Sequence, residues 1–566
     1  MLQVRWMRRV AVLSVAVFIL LVIASVSLPD PNANQAAARH GSRTDVDFAQ
    51  KQFLDFMHGE APNMKGQFGG SISSHFDPKA AFKRVHSRAL QMSKQQYNRE
   101  DIAELCRRAR ANLIAHSLLF EKSELLDKLS LDETTKESVQ TELKSIVGSV
   151  TSNLYPWLEW KDVQTAVKKF QSVEPAKEAG IILSVGKSYF PLAIHAIRTL
   201  REVLNCSLPI EIHHAGPELT TQMIEIFNTM PNVSTIDLYD HFPENSHDNL
   251  VGFYSKPFAL LASSFRKPII MDADVLFLQD PARAILNASL SFHQHGQTFF
   301  RDRTLTNQFF ESWFAYYPLM IARKFGYRVP SPAVRWFRAL DEYPSLYALS
   351  SESRYLMARS HHEMESGVVA LDKGRPDVLH ALLLVCKLNS RVEREAVLAQ
   401  YTNGDKETFW MAWELLRVPY KFNPGFSGMI GYSGGNMWLT KEHTCGQLVH
   451  ADQDLQPLCN FSVTPRWNGG ILKDKFVSRR NVFPFEKYAI DSEGYMEGWD
   501  WTWKWSLKAE HAHVLWLGWT GQSACFRPRN VGKDLRDLSE RQKEMTARYT
   551  DMYFEILDWF DKLVQV

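Results

Sequence analysis

The sequence predicts an α/β protein built on a doubly wound, mostly parallel sheet, preceded by a transmembrane helix and a largely helical stem. Three observations support this prediction. From residue 180 onward, short apolar segments alternate with helical segments of about 10–15 residues, which is typical of βαβ units. Two aspartates, Asp272 and Asp274, directly follow the fourth apolar segment. An uncharged apolar run lies near the start of the chain, at residues 10–28.

The apolar run at residues 10–28 is long enough to cross a bilayer. Three arginines precede it and no acid appears before residue 30, which favours a cytosolic tail at residues 1–9 and a lumenal location for everything after residue 28. A cleaved signal peptide is the alternative, although its apolar core is usually shorter. We therefore expect an uncleaved signal anchor.

Other features agree with a lumenal body. Net charge is +2 at pH 7, which argues against a nucleic-acid binder. Four Asn-x-Ser/Thr sequons require entry into the secretory pathway to be used, and they begin at Asn205, Asn232, Asn287 and Asn460. The six cysteines show no C-x-x-C metal pattern. Cys445 and Cys459 are close enough to form a loop staple, and the other pairings stay open.

Residues 29–175 are predicted to form the stem and a helical N-terminal region. Residues 29–41 are rich in Ala, Asn and Pro and indicate a flexible segment, whereas residues 42–175 are polar, with helical patterns around 99–120 and 123–146. The sequence indicates no function for this region. Residues 176–566 are predicted to form one domain.

Four strands and three helices are predicted at the start of that domain. The strands lie at 180–185, 208–213, 233–238 and 269–271; the helices lie at 192–204, 217–230 and 253–265. Ligands of such sheets bind beyond the carboxyl ends of the strands. That edge holds Gly186, after the first strand, and Asp272 and Asp274, after the fourth.

Asp272 and Asp274 are two residues apart, so on a strand their side chains would share one face. Carboxylates within an apolar run are costly to bury unless they are paired or bound to a cation. Their oxygens suit Mn²⁺ or Mg²⁺, with phosphate oxygens completing the shell. The alternative is a strand end with two capping or solvated acids, because D-x-D is a short motif.

The run at residues 254–281, YSKPFALLASSFRKPIIMDADVLFLQDP, resembles the signature of the fungal α-1,3-mannosyltransferase family, glycosyltransferase family 71. ESGVVALDK at 365–373 and NGDKETFWMAWEL at 403–415 are similar to the downstream motifs of that family, in the same order. The resemblance covers roughly residues 178–525. It implies a GT-A-type catalytic domain over residues 176–566, GDP-mannose as donor, Mn²⁺ or Mg²⁺ as cofactor, and retention of anomeric configuration. It also implies a mannose-bearing glycoprotein glycan as acceptor and a single-pass type II Golgi membrane protein.

The resemblance also implies roles at the acid pair. In similar enzymes the second acid, here Asp274, ligates the metal, and the first, here Asp272, contacts both ribose and metal. We assign Gly186 and Lys256 to donor binding. Lys256 opens a predicted helix, where the dipole disfavours a cation unless an anion such as diphosphate lies nearby. A solvated lysine with a packed stem is the alternative.

Related enzymes often take a histidine from late in the chain as a third metal ligand, and we assign His450 in preference to His443, His511 and His513. An ordinary core or surface histidine is equally consistent with the sequence. Trp467, before two glycines, is a candidate sugar-stacking residue, whereas the aromatic run at 499–505 is more typical of a core.

Glu365, Asp405 and Glu407 are the catalytic candidates by resemblance. They would hydrogen-bond mannose hydroxyls or present a carboxylate to the anomeric carbon. Acids in the first turn of a helix are also favoured by its dipole without any catalytic role, which is the alternative for Asp405 and Glu407.

Two rival functions stay open. One is the same fold with a different nucleotide-sugar donor or a different linkage, because a metal motif does not specify the donor. The other is a non-catalytic glycan-binding or scaffold protein of the Golgi.

Overall fold

The computed structural model describes residues 77–96, 102–158, 162–242, 252–302, 363–396, 404–433, 444–461, 485–491, 524–526 and 531–564, with positions 53, 54, 57, 250, 353 and 442. The predicted tail, anchor and flexible segment at residues 1–41 lie outside these ranges, as do Trp467, the aromatic run at 499–505 and the three alternative histidines. Across the ranges just given, no helix has the length and apolar character needed to span a bilayer.

Helices and strands alternate from residue 179, as predicted. The strands are β1 Ala179–Ser184, β2 Ile210–His214, β3 Val233–Asp237, β4 Lys267–Met271, β5 Val275–Phe277, β6 Gln297–Arg301, β7 Met364–Leu371, β8 Phe426–Ser433, β9 Thr444–Ala451, β10 Pro457–Phe461, β11 Lys487–Asp491, β12 Ala524–Phe526 and β13 Leu535–Asp537. The helices are α1 Pro78–Ser93, α2 Ile102–Phe120, α3 Glu124–Lys128, α4 Glu133–Leu154, α5 Val163–Gln171, α6 Phe190–Arg198, α7 Thr221–Thr229, α8 Leu238–His241, α9 Lys256–Ala262, α10 Leu290–His295, α11 Pro376–Asn389, α12 Arg391–Ala396, α13 Lys406–Leu416, α14 Val531–Asp534 and α15 Glu540–Val564.

Two sheets organise these elements. The central sheet has the order β3-β2-β1-β4-β7-β6. Strands β1 to β4 are mutually parallel, whereas β7 runs antiparallel to both β4 and β6. The second sheet has the order β13-β11-β8-β9-β10-β5, with β12 paired to β9, and is antiparallel. The sequence patterns predicted the parallel half of the first sheet but not the second sheet.

The starts of the second and third predicted helices differ from the prediction for identifiable reasons. Thr220, rather than Pro217, begins the second helix, because its hydroxyl accepts the Met223 N–H at the N-cap. The predicted helix at 253–265 consists of a short 3₁₀ turn followed by α9, which starts at Lys256 and carries Pro257 in its first turn. Proline is tolerated there because the first helical N–H groups have no partner within the helix.

The central sheet separates two apolar cores. Ile181 and Leu183 of β1 belong to one core and Ile182 to the other, since successive side chains of a strand alternate faces. Helices α9, α11 and α13 pack on the Ile182 face, together with α1, α2, α4 and α5. On the opposite face lie α6, α15 and the second sheet.

The N-terminal helices are therefore packed on the sheet domain. Arg110 of α2 donates to the Leu415 carbonyl at the end of α13, and Gln171 of α5 donates to the Gly374 carbonyl. The predicted helical character of this region is correct, with Asp132 and Asp162 capping α4 and α5. This part of the predicted stem shares one core with the sheet.

Candidate active site

Asp272 and Asp274 lie in a tight turn between the two sheets. Strand β4 ends at Met271, the Val275 N–H donates to the Asp272 carbonyl at 3.0 Å, and β5 then enters the second sheet. Both acids are half-buried, while Ala273 between them is buried. The expectation that strand alternation places both side chains on one face is wrong, because the chain turns at Asp272. Their predicted position beyond the carboxyl end of β4 is confirmed.

Lys256 is the centre of a buried polar cluster at this edge. Its Nζ lies 2.8 Å from Asp272 Oδ1 and 3.9 Å from Asp405 Oδ1. It also donates to the carbonyl and the hydroxyl of Ser366, at 3.2 and 3.3 Å. Burial acts to lower the pKa of Lys256, but the carboxylates of Asp272 and Asp405 outweigh it and hold that pKa above its usual value. Lys256 is therefore positively charged at neutral pH.

Asp405 reaches the cluster from the N-cap position of α13. It is 1% exposed, and its side chain makes no capping hydrogen bond to the described backbone. Its Oδ2 has no hydrogen-bond partner among the residues that the structure describes. Burial raises the pKa of Asp405 to about 6, against the opposing effect of Lys256. A buried carboxylate oxygen of this kind suits a ligand hydroxyl.

Glu365 and Ser366 approach the same edge on β7. This strand runs antiparallel to β4, so its first residues meet the carboxyl end of β4, and the Asp272 N–H donates to the Gly367 carbonyl at 2.8 Å. Glu365 Oε1 accepts the N–H groups of Ser366 and Gly367 and is half-buried. The sequence patterns did not single out Ser366, although it stands beside Glu365 in the ESGVVALDK motif.

The end of β1 completes the edge. Ser184 Oγ lies 2.7 Å from the Oγ of Ser255, the residue that precedes Lys256 in the chain. Gly186 follows two residues later, with the carboxylate of Glu218 so close that a Cβ at position 186 would lie 2.5 Å from its Oε2. The structure thus brings Gly186, Lys256, Asp272, Asp274, Glu365 and Asp405 to one edge of the central sheet.

Glu407 lies outside this cluster, in a neighbouring buried network. It is fully buried, and its carboxyl group accepts Trp410 Nε1–H at 2.6 Å and the Glu363 N–H at 3.2 Å. Burial raises the pKa of Glu407 to about 8. These partners fix its side chain within the protein.

His450 is buried on β9. Its Nε2 lies 3.5 Å from Ser427 Oγ, and its ring centroid lies 5.1 Å from that of Phe300. Across the described ranges, no three His, Cys, Asp or Glu side chains are grouped so that they could hold a metal ion. Asp272, Asp274 and His450 are thus not preassembled into a metal site.

The proposed Cys445–Cys459 staple is wrong. Cys459 is a buried free thiol, and the register of β9 and β10 places it opposite His450, five positions along β9 from Cys445. A hairpin register brings only facing residues close enough to bridge.

Comparison with known proteins finds a family that is similar to the segment carrying this site. Residues 178–452 match the family model described as "Mannosyltransferase putative", and this segment contains every residue of the cluster. The chain is similar to this family over that segment. The alpha-1,3-mannosyltransferase MNN1 of Saccharomyces cerevisiae is 23% identical over 335 residues, covering 53% of this chain and 41% of MNN1. The alpha-1,3-mannosyltransferase MNT2 of the same yeast is 28% identical over 303 residues, covering 50% of this chain and 51% of MNT2. The matches thus span about half the length of these relatives.

Two solved structures are also similar. The mannosyltransferase Ktr4p from S. cerevisiae is 14% identical, with a TM-score of 0.26 over 46% of this chain and 77% of Ktr4p. The galactosyltransferase LgtC is 11% identical, with a TM-score of 0.25 over 43% of this chain and 73% of LgtC.

Proposed function

We propose that this protein transfers mannose from GDP-mannose to mannose-bearing glycans of glycoproteins, in an α-1,3 linkage with retention of configuration, on a GT-A-type domain. The observation that carries the proposal is the Lys256–Asp272–Asp405 cluster at the carboxyl edge of the central sheet. Its residues lie within the matched family segment, and the relatives named above are alpha-1,3-mannosyltransferases.

The charges of the cluster suit a sugar diphosphate. Lys256 supplies a buried cation at the first turn of a helix, a position that favours anions. Asp405 supplies an acceptor for a hexose hydroxyl through its buried Oδ2. Ser184, Ser255 and Ser366 line the same edge with small polar groups.

The two acids of the turn fit a divalent cation, because both are half-buried carboxylates on one tight turn. Asp272 and Asp274 would hold Mn²⁺ or Mg²⁺, with phosphate oxygens of the donor completing the coordination shell. When bound, the ion would stabilise negative charge on the departing GDP. Lys256 would share this task at the diphosphate, and Asp405 and Glu365 would orient the sugar.

The test is transfer from GDP-mannose to a mannoside by the purified full-length protein, with Mn²⁺ and after chelation. We expect transfer only with metal, and its absence in both conditions would contradict the proposal. Competition by UDP-sugars would instead support another donor. The absence of both transfer and metal-dependent GDP binding would support a glycan-binding or scaffold protein.

We further propose a type II Golgi membrane location, based on the apolar run at 10–28 and the sequons. Asn205, Asn232 and Asn287 are exposed, so glycans at these positions are sterically permitted. Digestion of the cell-expressed protein with an N-glycan endoglycosidase should increase its gel mobility, and Asn→Gln variants should remove the shift stepwise. An unglycosylated protein would contradict the lumenal assignment while leaving the enzymatic proposal intact.

A further inference from the structure

A second network of buried charged side chains includes Lys406, the residue that follows Asp405. Lys406 Nζ is 2.6 Å from Asp302 Oδ2, and Arg301 Nη1 is 2.6 Å from Glu363 Oε1. Each of these side chains is at most 10% exposed. Glu407 joins the network through the Glu363 N–H.

This network connects three elements of the fold. Arg301 and Asp302 stand at the end of β6, and Glu363 stands immediately before β7. The Asp302 N–H donates to the Glu363 carbonyl at 3.0 Å, so the backbone is joined at the same point. Lys406 and Glu407 form the start of α13, and their contacts tie that helix to the two strands.

Asp405 precedes Lys406 directly, so its position depends on where α13 begins. Its side chain makes no capping bond to the described backbone, and Lys256 Nζ lies 3.9 Å from its Oδ1, beyond hydrogen-bond distance. Burial and the nearby carboxylate of Asp272 both raise the pKa of Asp405, so they disfavour its charged form. A carboxylate in this situation is retained only when its surroundings hold it there.

We propose that Asp302 and Lys406 are positioning residues, whose buried ion pair fixes the first turn of α13 so that Asp405 faces Lys256 and the bound donor. This rests on the proposed mannosyl transfer for its kinetic consequence, but the geometric claim stands independently. Glu363 and Glu407 support the same turn through the Glu363 backbone. Glu407 thereby acts through Asp405 rather than on the sugar.

The test compares Asp302→Asn with a matched variant at the other end of the same helix. Glu414 pairs with Arg417 at 2.7 Å, and both are at most 2% exposed, so Glu414→Gln also breaks a buried ion pair on α13. Both variants should lower the melting temperature. Only Asp302→Asn should lower kcat for mannosyl transfer, by about 10- to 100-fold, because a misplaced catalytic group costs rate.

A crystal structure of each variant separates the two claims. We expect the distance from Asp405 Oδ1 to Lys256 Nζ to increase in Asp302→Asn and to stay unchanged in Glu414→Gln. An unchanged distance in Asp302→Asn, or equal kcat losses in both variants, would overturn the positioning role. A wild-type protein that transfers no mannose would refute the proposed function, and the crystallographic distance would still decide the positioning claim. If Asp302→Asn does not fold, Lys406→Arg, which keeps the charge but alters the length of the pair, is measured in the same way.

Discussion

Replacing Lys256 with methionine removes the cation of the cluster while keeping most of its volume. Asp272 and Asp405 then face each other without a counter-charge. At 3.9 Å, the attraction between Lys256 and Asp405 corresponds to about 4 kcal/mol at an effective dielectric constant of about 20. Since the pKa of Asp405 is already raised to about 6, we expect it to rise above neutral pH in the variant.

Two consequences follow for Lys256→Met. We expect kcat at pH 7 to fall by at least about 100-fold, because a preorganised charge at the diphosphate is lost and Asp405 becomes protonated. Breaking a buried pair costs about 3–5 kcal/mol, and Asp272 keeps 28% exposure, so we expect the lower end, about 3 kcal/mol. The residual activity should increase toward alkaline pH.

The assay is steady-state transfer from GDP-mannose between pH 5 and 9, together with thermal unfolding. Lys373→Met is the matched control, because Lys373 is also fully buried and donates to the Leu260 and Ser263 carbonyls at the other end of α9. The control should lose stability but keep the pH profile. A Lys256→Met protein with wild-type kcat and an unchanged pH profile would refute the assignment of Lys256 to the site.

Four further outcomes are expected. Wild-type activity should decline below about pH 6 as Asp405 is protonated, and Asp405→Asn should be inactive at every pH; a wild-type profile flat to pH 4.5 would contradict this. The raised pKa of Glu407 means that stability falls as pH rises from about 4.5 to about 8, so chemical denaturation should show a smaller alkaline loss for Glu407→Gln. Asp274→Ala should abolish transfer while circular dichroism and melting stay near wild type, and retained turnover would show a structural role. Tyr549→Phe leaves the Phe277 carbonyl without its 2.7 Å donor, so calorimetry should show a loss of about 1–3 kcal/mol with unchanged KM.

Sequence patterns located the first four strands well because each is a short apolar run between clear breaks. They could not reveal the second sheet, since its strands come from segments spread between residues 275 and 537 and pair antiparallel across long distances. The prediction also omitted the C-terminal helix α15, although its buried residues Met545, Tyr549, Met552, Tyr553 and Ile556 recur at helical spacing. This helix docks through contacts with no local signal, such as His195 Nε2 with the Tyr549 carbonyl.

The candidate site was also predicted in part. Lys256 at the start of a helix and the acids beyond β4 followed from local rules of helix and strand termination. The antiparallel direction of β7 was not predictable from its residues, and it is this direction that brings Glu365 and Ser366 to the edge. Residue type alone does not reveal the surroundings of His450 and Glu407. In the structure, His450 lies beside Ser427 and Phe300. Glu407 accepts a hydrogen bond from the Trp410 indole.

The sequence by itself determined the α/β alternation, the sheet edge at which polar residues gather and, through its motifs, the family resemblance. These depend on residue types within one segment or on short ordered motifs. Only the tertiary structure decided that a single buried ammonium neutralises acids from two distant elements, and that Asp272 begins a turn. Charge pairing in a low-dielectric interior depends on distances between residues far apart in the chain, which no local pattern encodes.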